Sequence, residues 1–317
     1  MLYNHFTLDE RILLQNFLKS GKSIREIAGI LGRSPSSVSR EIRRNHSRTC
    51  YAPYKANRMA KARKQIASIR TLLPDTLEFE YVREKLQKFW SPETICGRWG
   101  LDHPGRKSIH YSTIYRHIHA GLLPEITAKK NLRRRGKRSK SKAGGQMTIH
   151  PNRLIKDWPE EILHRSRVGD WEGDTITGKI GSGLIDTLVD RKSRYLVAGK
   201  VEDKSAPTNR ASIEKILKGK PVKSLSFDNG VEFAEHEAME KTFNALVYFA
   251  EPHCPWQRGT NENTNGLLRF FFPRGSDFRD ITQEKVDHVV DLLNKRPRKC
   301  LGWLTPEEVY LKSVALA

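Results

Sequence analysis

Hydrophobic residues along this 317-residue chain recur with two different periods, and the change of period divides it. From the N-terminus to about residue 125 the spacing is helical, with short breaks. In "SIREIAGILGRSPSSVSREIRRN" (23–45), Ile24, Ile27, Ala28 and Leu31 share one helical face. Gly32 breaks that helix, and a second starts where Ser34 can cap and Pro35 suits the first turn. Val38 and Ile42, four apart, turn inward and leave Ser36, Ser37, Ser39, Arg40 and Arg43 outside. Two short helices about a Gly-containing turn, the second polar and basic outside, predict a helix-turn-helix. A looser instance follows. "SPETICGRW" (91–99) opens with a Ser cap and a Pro in the first turn. "YSTIYRHIHAG" (111–121) turns Ile114 and Ile118 inward and Ser112, Thr113 and Arg116 outward, with Gly121 as its stop. The intervening "GLDHPGRKSIH" is longer than a standard turn. His110, His117 and His119 have no cysteine or carboxylate at ligand spacing and read as solvated or phosphate-facing.

Beyond about Arg165 strand and helix signals alternate. "RVGDWEGDTITGK" (167–179) predicts a strand, and "GLIDTLVDRKSRYLVAGKV" (183–201) an antiparallel hairpin about "DRKS". Helical spacing over 212–219, a strand over 222–230 ending in Asp-Asn-Gly, a helix near 235–243 and a strand over 245–250 follow. The last helix opens within "CPWQRGTNENTNGLLRFFFPRG" (254–275). Three antiparallel strands, then helix–strand–helix–strand–helix, predict a mixed five-stranded sheet with helices against it, the order of the ribonuclease-H-like fold.

Charge changes the picture. The chain carries a net charge of +21, and residues 1–150 hold 31 basic against 11 acidic side chains, nearly the whole excess. A polyanion-binding half joined to a near-neutral one is the simplest reading. "KKNLRRRGKRSKSK" (129–142) has nine basic residues and no acid; it predicts a flexible linker whose Arg133, Arg134 and Arg135 track phosphates. The expected domains are therefore 1–70 and 71–125, both helix-turn-helix, a linker over 126–150, and a catalytic α/β domain over 151–317. No apolar run reaches membrane-spanning length, and the N-terminus lacks the pattern of a signal peptide. Four scattered cysteines without a CxxC pair predict reduced thiols in a cytosol-like compartment.

Phosphodiester chemistry at neutral pH is helped by divalent ions, and two or three carboxylates from separate elements suffice to hold them. Asp228 ends a predicted strand at the sheet's rim. On the first strand Asp170, Glu172 and Asp174 alternate with period 2, and periodicity alone does not separate them. Glu262 opens the last helix, with Arg269 seven residues on and so on the same face. Each acid alone is ordinary: Asp-Asn-Gly makes turns, and a Glu at a helix start complements the dipole. Together, beside a basic helical half, they form a candidate metal centre.

"WEGDTI", "FDNGVEFA" and "WQRGTNENTNGLLRFFFPRG" resemble the three catalytic blocks of the IS-thirty family of bacterial insertion-sequence transposases, DDE enzymes with a retroviral-integrase-like core. "SIREIAGILGRSPSSVSREIRRN" and "STIYRHI" resemble that family's two DNA-binding elements, so the likeness covers nearly the whole chain. The spacing fits, with 53 residues between Asp174 and Asp228 and 33 between Asp228 and Glu262. The resemblance implies Asp174 as the first-strand ligand, with Asp174, Asp228 and Glu262 binding Mg²⁺ and tolerating Mn²⁺. It implies double-stranded DNA as partner, both element ends and target, and a dimer or larger assembly on that DNA. Ser36, Ser37, Arg40, Arg43, Arg44, Ser112, Thr113 and Arg116 are the expected DNA contacts of the helical half. Arg258 and Arg269 are expected to steady phosphates, and Trp256 to pack or stack on a base. "RPRKCLGWLTPEEVY" (296–310) resembles the family's closing segment and is expected to pack the last helix. Phe227 stands where the family usually has a smaller polar residue. Two other functions fit such a chain: a DNA-binding repressor with an inert appended domain, and a ribonuclease-H-like nuclease.

Overall fold

A computed structural model describes residues 5–45, 50–69, 76–133, 153–251 and 254–316. Its contacts form two compact units, Met1–Phe79 and Glu80–Ala317. The first holds α1 (Leu8–Lys19), α2 (Ile24–Ile30), α3 (Pro35–Asn45) and α4 (Pro53–Ile69). Thr7 and Ser23 close capping boxes with Glu10 and Glu26, which satisfy the free N–H groups where α1 and α2 begin. Leu14, Ile27, Ala28, Val38, Tyr51 and Ala56 form the core of this unit. Ile24, expected inside, is instead 39% exposed, because the capping turn at Ser23 leaves the first residue of α2 beyond that core. Arg11 is buried, but its Nε lies 2.7 Å from Glu41, its Nη1 donates to Asn57, and Tyr51 donates to the same Glu41. The charge is therefore neutralised where it is desolvated.

The second unit contains most of α5 (Leu77–Gln87), then α6 (Pro92–Asp102), α7 (Tyr111–His119), α8 (Ala128–Asn131) and α9 (Glu160–Leu163). The sheet consists of β1 (Asp170–Thr177), β2 (Leu184–Asp190), β3 (Leu196–Val201), β4 (Ser224–Phe227) and β5 (Leu246–Phe249). Interleaved and following are α10 (Ala206–Leu217), α11 (His236–Phe243), α12 (Gly259–Phe271), α13 (Gln283–Asn294) and α14 (Pro306–Ala315). Strand order is β3-β2-β1-β4-β5, the first three antiparallel and β4 and β5 parallel to β1, which is the ribonuclease-H-like arrangement. The expected hairpin and strand sequence are present.

Alternation along β1 decides what each face carries. Trp171 faces a core of Leu225, Phe227, Val247 and Ile213, while Ile176 faces Leu267, Leu268, Phe272 and Val286. Helices therefore cover both faces of the sheet. Phe227 is fully buried and stacks on Phe233 at 4.2 Å. A side chain at Gly173 would collide with its ring, so the large residue at 227 is matched by the absence of one at 173. Asp186 lies on β2, opposite Thr175. Burial pushes its carboxyl up to about 7, Ser212 opposing and Glu232 reinforcing, from an ordinary 3.8. Between those two values the folded chain binds more protons than the unfolded one, so stability falls as pH rises through that window. Asp186→Asn is expected to melt like the parent near pH ~4 and to be more stable above pH ~7, by at most about 4 kcal/mol, in urea titrations across pH.

Residues 80–133 belong to the same unit as the sheet. Arg98 of α6 pairs with Glu308 at 2.7 Å and donates to the Trp303 carbonyl, and Gly97 leaves room for the Trp303 ring. The closing segment thus seats α6. Of the expected linker, Ile126 and Asn131 are buried, and Asn131 donates to the Leu86 carbonyl. Residues 134–152, including Arg134 and Arg135, lie outside the described part. Among the described residues no helix is long and apolar enough to cross a membrane, and Cys96, Cys254 and Cys300 form no disulfide.

Candidate active site and DNA-binding helices

The three period-2 acids of β1 have different partners. Asp170 accepts from Arg167 and Ser224. Glu172 is fully buried, pairs with the equally buried Arg191, and accepts the Asn261 backbone N–H at 3.1 Å. Burial and a committed cation make both structural. Asp174, last of the three, is paired differently: its Oδ2 accepts from Asn265 Nδ2 at 2.8 Å and its Oδ1 from the Thr175 N–H. Of the three, Asp174 is the one that lies beside Asp228 across the paired strands.

Asp228 follows β4 directly, and its Oδ1 accepts the Gly230 N–H at 3.1 Å, which fixes the turn. β1 and β4 are adjacent and parallel, so Asp174 and Asp228 come to neighbouring ends of the sheet. Arg258 joins them. Its Nη2 lies 3.4 Å from Asp174 and its Nη1 3.1 Å from Asp228, and it also donates to the Gly173 carbonyl at 2.7 Å. Burial raises the Asp174 carboxyl above the usual carboxylate range; Arg258 opposes that and Asp228 reinforces it. Burial opposes the Arg258 charge, but the two carboxylates outweigh it and hold the guanidinium above its ordinary value. Two like charges side by side in a partly dry site are eased by a cation between them. Here the chain supplies that cation itself, and the position where Arg258 was expected to meet phosphate is turned inward.

Glu262 lies in the first turn of α12 and is exposed. Among the described residues no three carboxylate, imidazole or thiol side chains converge closely enough to hold a metal ion, so its carboxylate does not complete a cluster with the two aspartates. Its helix is nonetheless docked at that site. Asn261 donates to the Glu172 carbonyl, Asn265 to Asp174, and Thr187 donates to Asn265. Arg258, Glu262, Asn265 and Arg269 follow at helical spacing, so Glu262 sits one turn from each of two residues that touch Asp174. Arg269, farther along the stripe, donates to the Thr177 carbonyl at the end of β1. The buried asparagines were not singled out from the sequence; their signal is an i, i+4 pair of amides entering an apolar helix.

The donor set is suited to Mg²⁺, being carboxylate oxygens at the rim of a sheet. A guanidinium bridging Asp174 and Asp228 is a cationic stand-in at the place where their charges meet. In donor type and charge that place suits a divalent ion.

On α3, Ser36, Arg40, Arg43 and Arg44 are exposed, and Ser37 lies closer in, its N–H bonded to the Ser34 hydroxyl. On α7, Ser112 and Arg116 are exposed and Thr113 accepts from Arg116. His117, expected in solvent or at phosphate, is buried, with Nδ1 2.8 Å from the Thr113 carbonyl, because it falls between Ile114 and Ile118 on the packed face.

Residues 3–45 match a family described as a helix-turn-helix domain. The transposase InsI of insertion sequence element IS30A from Escherichia coli (strain K12) is 38% identical over 98% of this chain and 85% of its own length. The transposase of IS4351 from Bacteroides fragilis is 36% identical over 96% of this chain and 95% of its own. That of IS1086 from Cupriavidus metallidurans is 33% identical, covering 99% and 96%. The solved catalytic core domain of BIV integrase is similar at a TM-score of 0.38 and 22% identity, over 47% of this chain and 97% of that one.

Proposed function

This chain belongs to the IS30 (IS-thirty) family of insertion-sequence transposases and acts in DNA transposition, and we propose that Asp174, Asp228 and Glu262 are the residues that hold Mg²⁺ or Mn²⁺ for its strand cleavage and strand transfer. One observation carries this reading: acids from two adjacent strand ends meet a single cationic group beside the helix stripe that bears Glu262. When bound, divalent ions would supply activation of the attacking oxygen and neutralisation of charge on the phosphoryl group. The chain's own work is positioning. Asn265 and the Thr175 N–H fix the Asp174 carboxylate, the Gly230 N–H fixes Asp228, and Asn261 ties α12 to β1. In the first step water attacks phosphorus at the element's end and the P–O3′ bond breaks, leaving a 3′-hydroxyl and a flanking 5′-phosphate. That hydroxyl then attacks a target phosphodiester and displaces its 3′-oxygen, so neither transfer needs a covalent protein intermediate. Both element ends must be cut together, which calls for a dimer or larger assembly on DNA.

The test is nicking of a duplex carrying an element end by the purified full chain, with Mg²⁺ or Mn²⁺ and with EDTA. Cleavage at the end that EDTA abolishes is expected. Binding without cleavage would favour the repressor reading, and equal cutting of an RNA–DNA hybrid the nuclease one.

Ser36, Ser37, Arg40, Arg43 and Arg44 on α3, with Ser112, Thr113 and Arg116 on α7, are the proposed DNA contacts. Arg40→Ala and Arg43→Ala are expected to weaken end binding by about 1–3 kcal/mol each if they read bases, or to lower the salt slope by about 1 if they meet phosphate. Because both are exposed, melting of the free protein is expected to stay unchanged.

A further inference from the structure

The arginines of this chain divide into two kinds. Arg11, Arg98, Arg191 and Arg258 are drawn out of solvent, and each faces a carboxylate within ion-pair distance. Arg296 and Arg298 are partly buried too, yet among the described residues neither forms an ion pair. Among the described residues the Arg298 guanidinium makes one hydrogen bond, from Nη2 to the Leu293 carbonyl, and its Nε is buried without a partner. Arg133, which has interactions of its own, lies near Arg296. Its guanidinium lies against Gly266 of α12, where the missing side chain leaves it room. A small pocket opens there between Arg133 and Arg296, floored by Phe89, Leu267, Phe270 and Phe271.

We propose that Arg133, Arg296 and Arg298 form a binding site for backbone phosphates of the DNA strand engaged by the catalytic domain. The proposal rests on the transposase reading and adds residues to it, since the 296–310 segment otherwise seats α6.

Three observations support it. Burial, and then the neighbouring Arg133, lowers the Arg296 guanidinium to about 10; burial, and then Arg296, lowers Arg298 to about 9. Both remain charged at neutral pH, so the free protein holds mutually repelling cations. The acid that acts on Arg296, Glu93, has its carboxylate engaged by the Tyr115 hydroxyl at 3.2 Å. Such an arrangement costs stability unless an anion enters, and a phosphate fits the guanidinium fork.

The frame is also rigid. Pro297 fixes the backbone between the two arginines, the Arg298 N–H donates to the Leu304 carbonyl, and the Arg298 carbonyl accepts the Trp303 N–H. A site built before its ligand arrives loses less entropy on binding.

Position points to a nucleic-acid strand as the source of the phosphate. Along α12, Glu262 precedes Leu267 and Phe270 by five and eight residues, or about 8–12 Å at 1.5 Å per residue. That is roughly two to four nucleotide steps of a B-form strand. Arg133 also begins the tract that continues through Arg134 and Arg135. A strand entering the Asp174–Asp228 centre would pass this cluster.

The test uses the full chain, with an Arg296→Gln/Arg298→Gln double variant and the corresponding lysine pair. Without anion, the Gln pair is expected to melt no lower than the parent, since repulsion is relieved. Inorganic pyrophosphate is expected to raise the melting temperature of the parent and not of the Gln pair. On an element-end duplex, the Gln pair is expected to bind about tenfold or more weakly, with a salt slope smaller by roughly 0.9 per lost phosphate contact. The lysine pair, keeping charge without the fork, should retain the slope. A Gln pair that melts lower with an unchanged slope would make these arginines structural and overturn the proposal. Pyrophosphate protection that needs the arginines, with no change in the slope, would assign the site to free phosphate and overturn the DNA assignment. A parent that binds no duplex at all would refute the transposase reading instead, leaving the pyrophosphate arm to decide the cluster.

Discussion

Asp228→Asn is expected to lower nicking of an element-end duplex by about a thousand-fold or more, while binding of that duplex is kept. The substitution preserves the shape and the acceptor oxygen that takes the Gly230 N–H, so the turn after β4 stays formed. What it removes is one negative charge from the pair facing Arg258. A ligand charge lost from a metal-assisted phosphoryl transfer costs several kcal/mol of transition-state stabilisation, and each 1.36 kcal/mol is about tenfold in rate. Because the Asp228 side chain is 45% exposed, the same change should move stability little. Glu172→Gln makes the opposite prediction from one strand away. It leaves Arg191 buried without its counter-charge, which costs about 3–5 kcal/mol and lowers the melting temperature before any question of chemistry arises. Nicking and melting measured on both variants separate the two roles. Parental nicking by Asp228→Asn would place the chemistry elsewhere.

That contrast also marks how far the residues alone could be read. The order of strands was legible because β1 alternates, β2 and β3 are short apolar runs about a polar turn, and Asp-Asn-Gly ends β4. Boundaries were less so: α10 starts at Ala206, six residues before its apolar spacing becomes visible, since its first turns are polar. The helix-turn-helix core was legible from Ile27, Ala28 and Val38, but Ile24 shows the same period and lies outside it. Glu172 and Asp174 differ in partners that come from far along the chain. Arg191 arrives from the end of β2, and Asn261 and Asn265 arrive from a helix some ninety residues away. No local pattern encodes such meetings. The same holds for Gly173 and Phe227, two positions that are unremarkable separately and complementary once β1 lies beside β4.

Arg258→Ala is expected to make the free protein less stable and, at the same time, more responsive to divalent ions. In the parent the guanidinium neutralises Asp174 and Asp228 together and is itself only 12% exposed. Its removal leaves two carboxylates facing each other with burial already raising one of them, and a loss approaching about 3 kcal/mol follows for the free chain. An ion entering the parent must first displace that side chain, so its apparent affinity is reduced by the fraction of molecules in which Arg258 has withdrawn. The variant has no such competition. Added Mn²⁺ without DNA is therefore expected to raise its melting temperature by more than it raises the parent's, and Mn²⁺ titration followed by electron paramagnetic resonance should show tighter binding. Asp228→Asn combined with Arg258→Ala should lose that gain, because the ion then has one fewer carboxylate to meet. If Arg258 served only as a structural pin, its loss would disorder the pair, and Mn²⁺ would bind the variant more weakly than the parent. The sign of the change in Mn²⁺ affinity, read apart from catalysis, thus decides whether the chain holds its own cation where the metal is to sit.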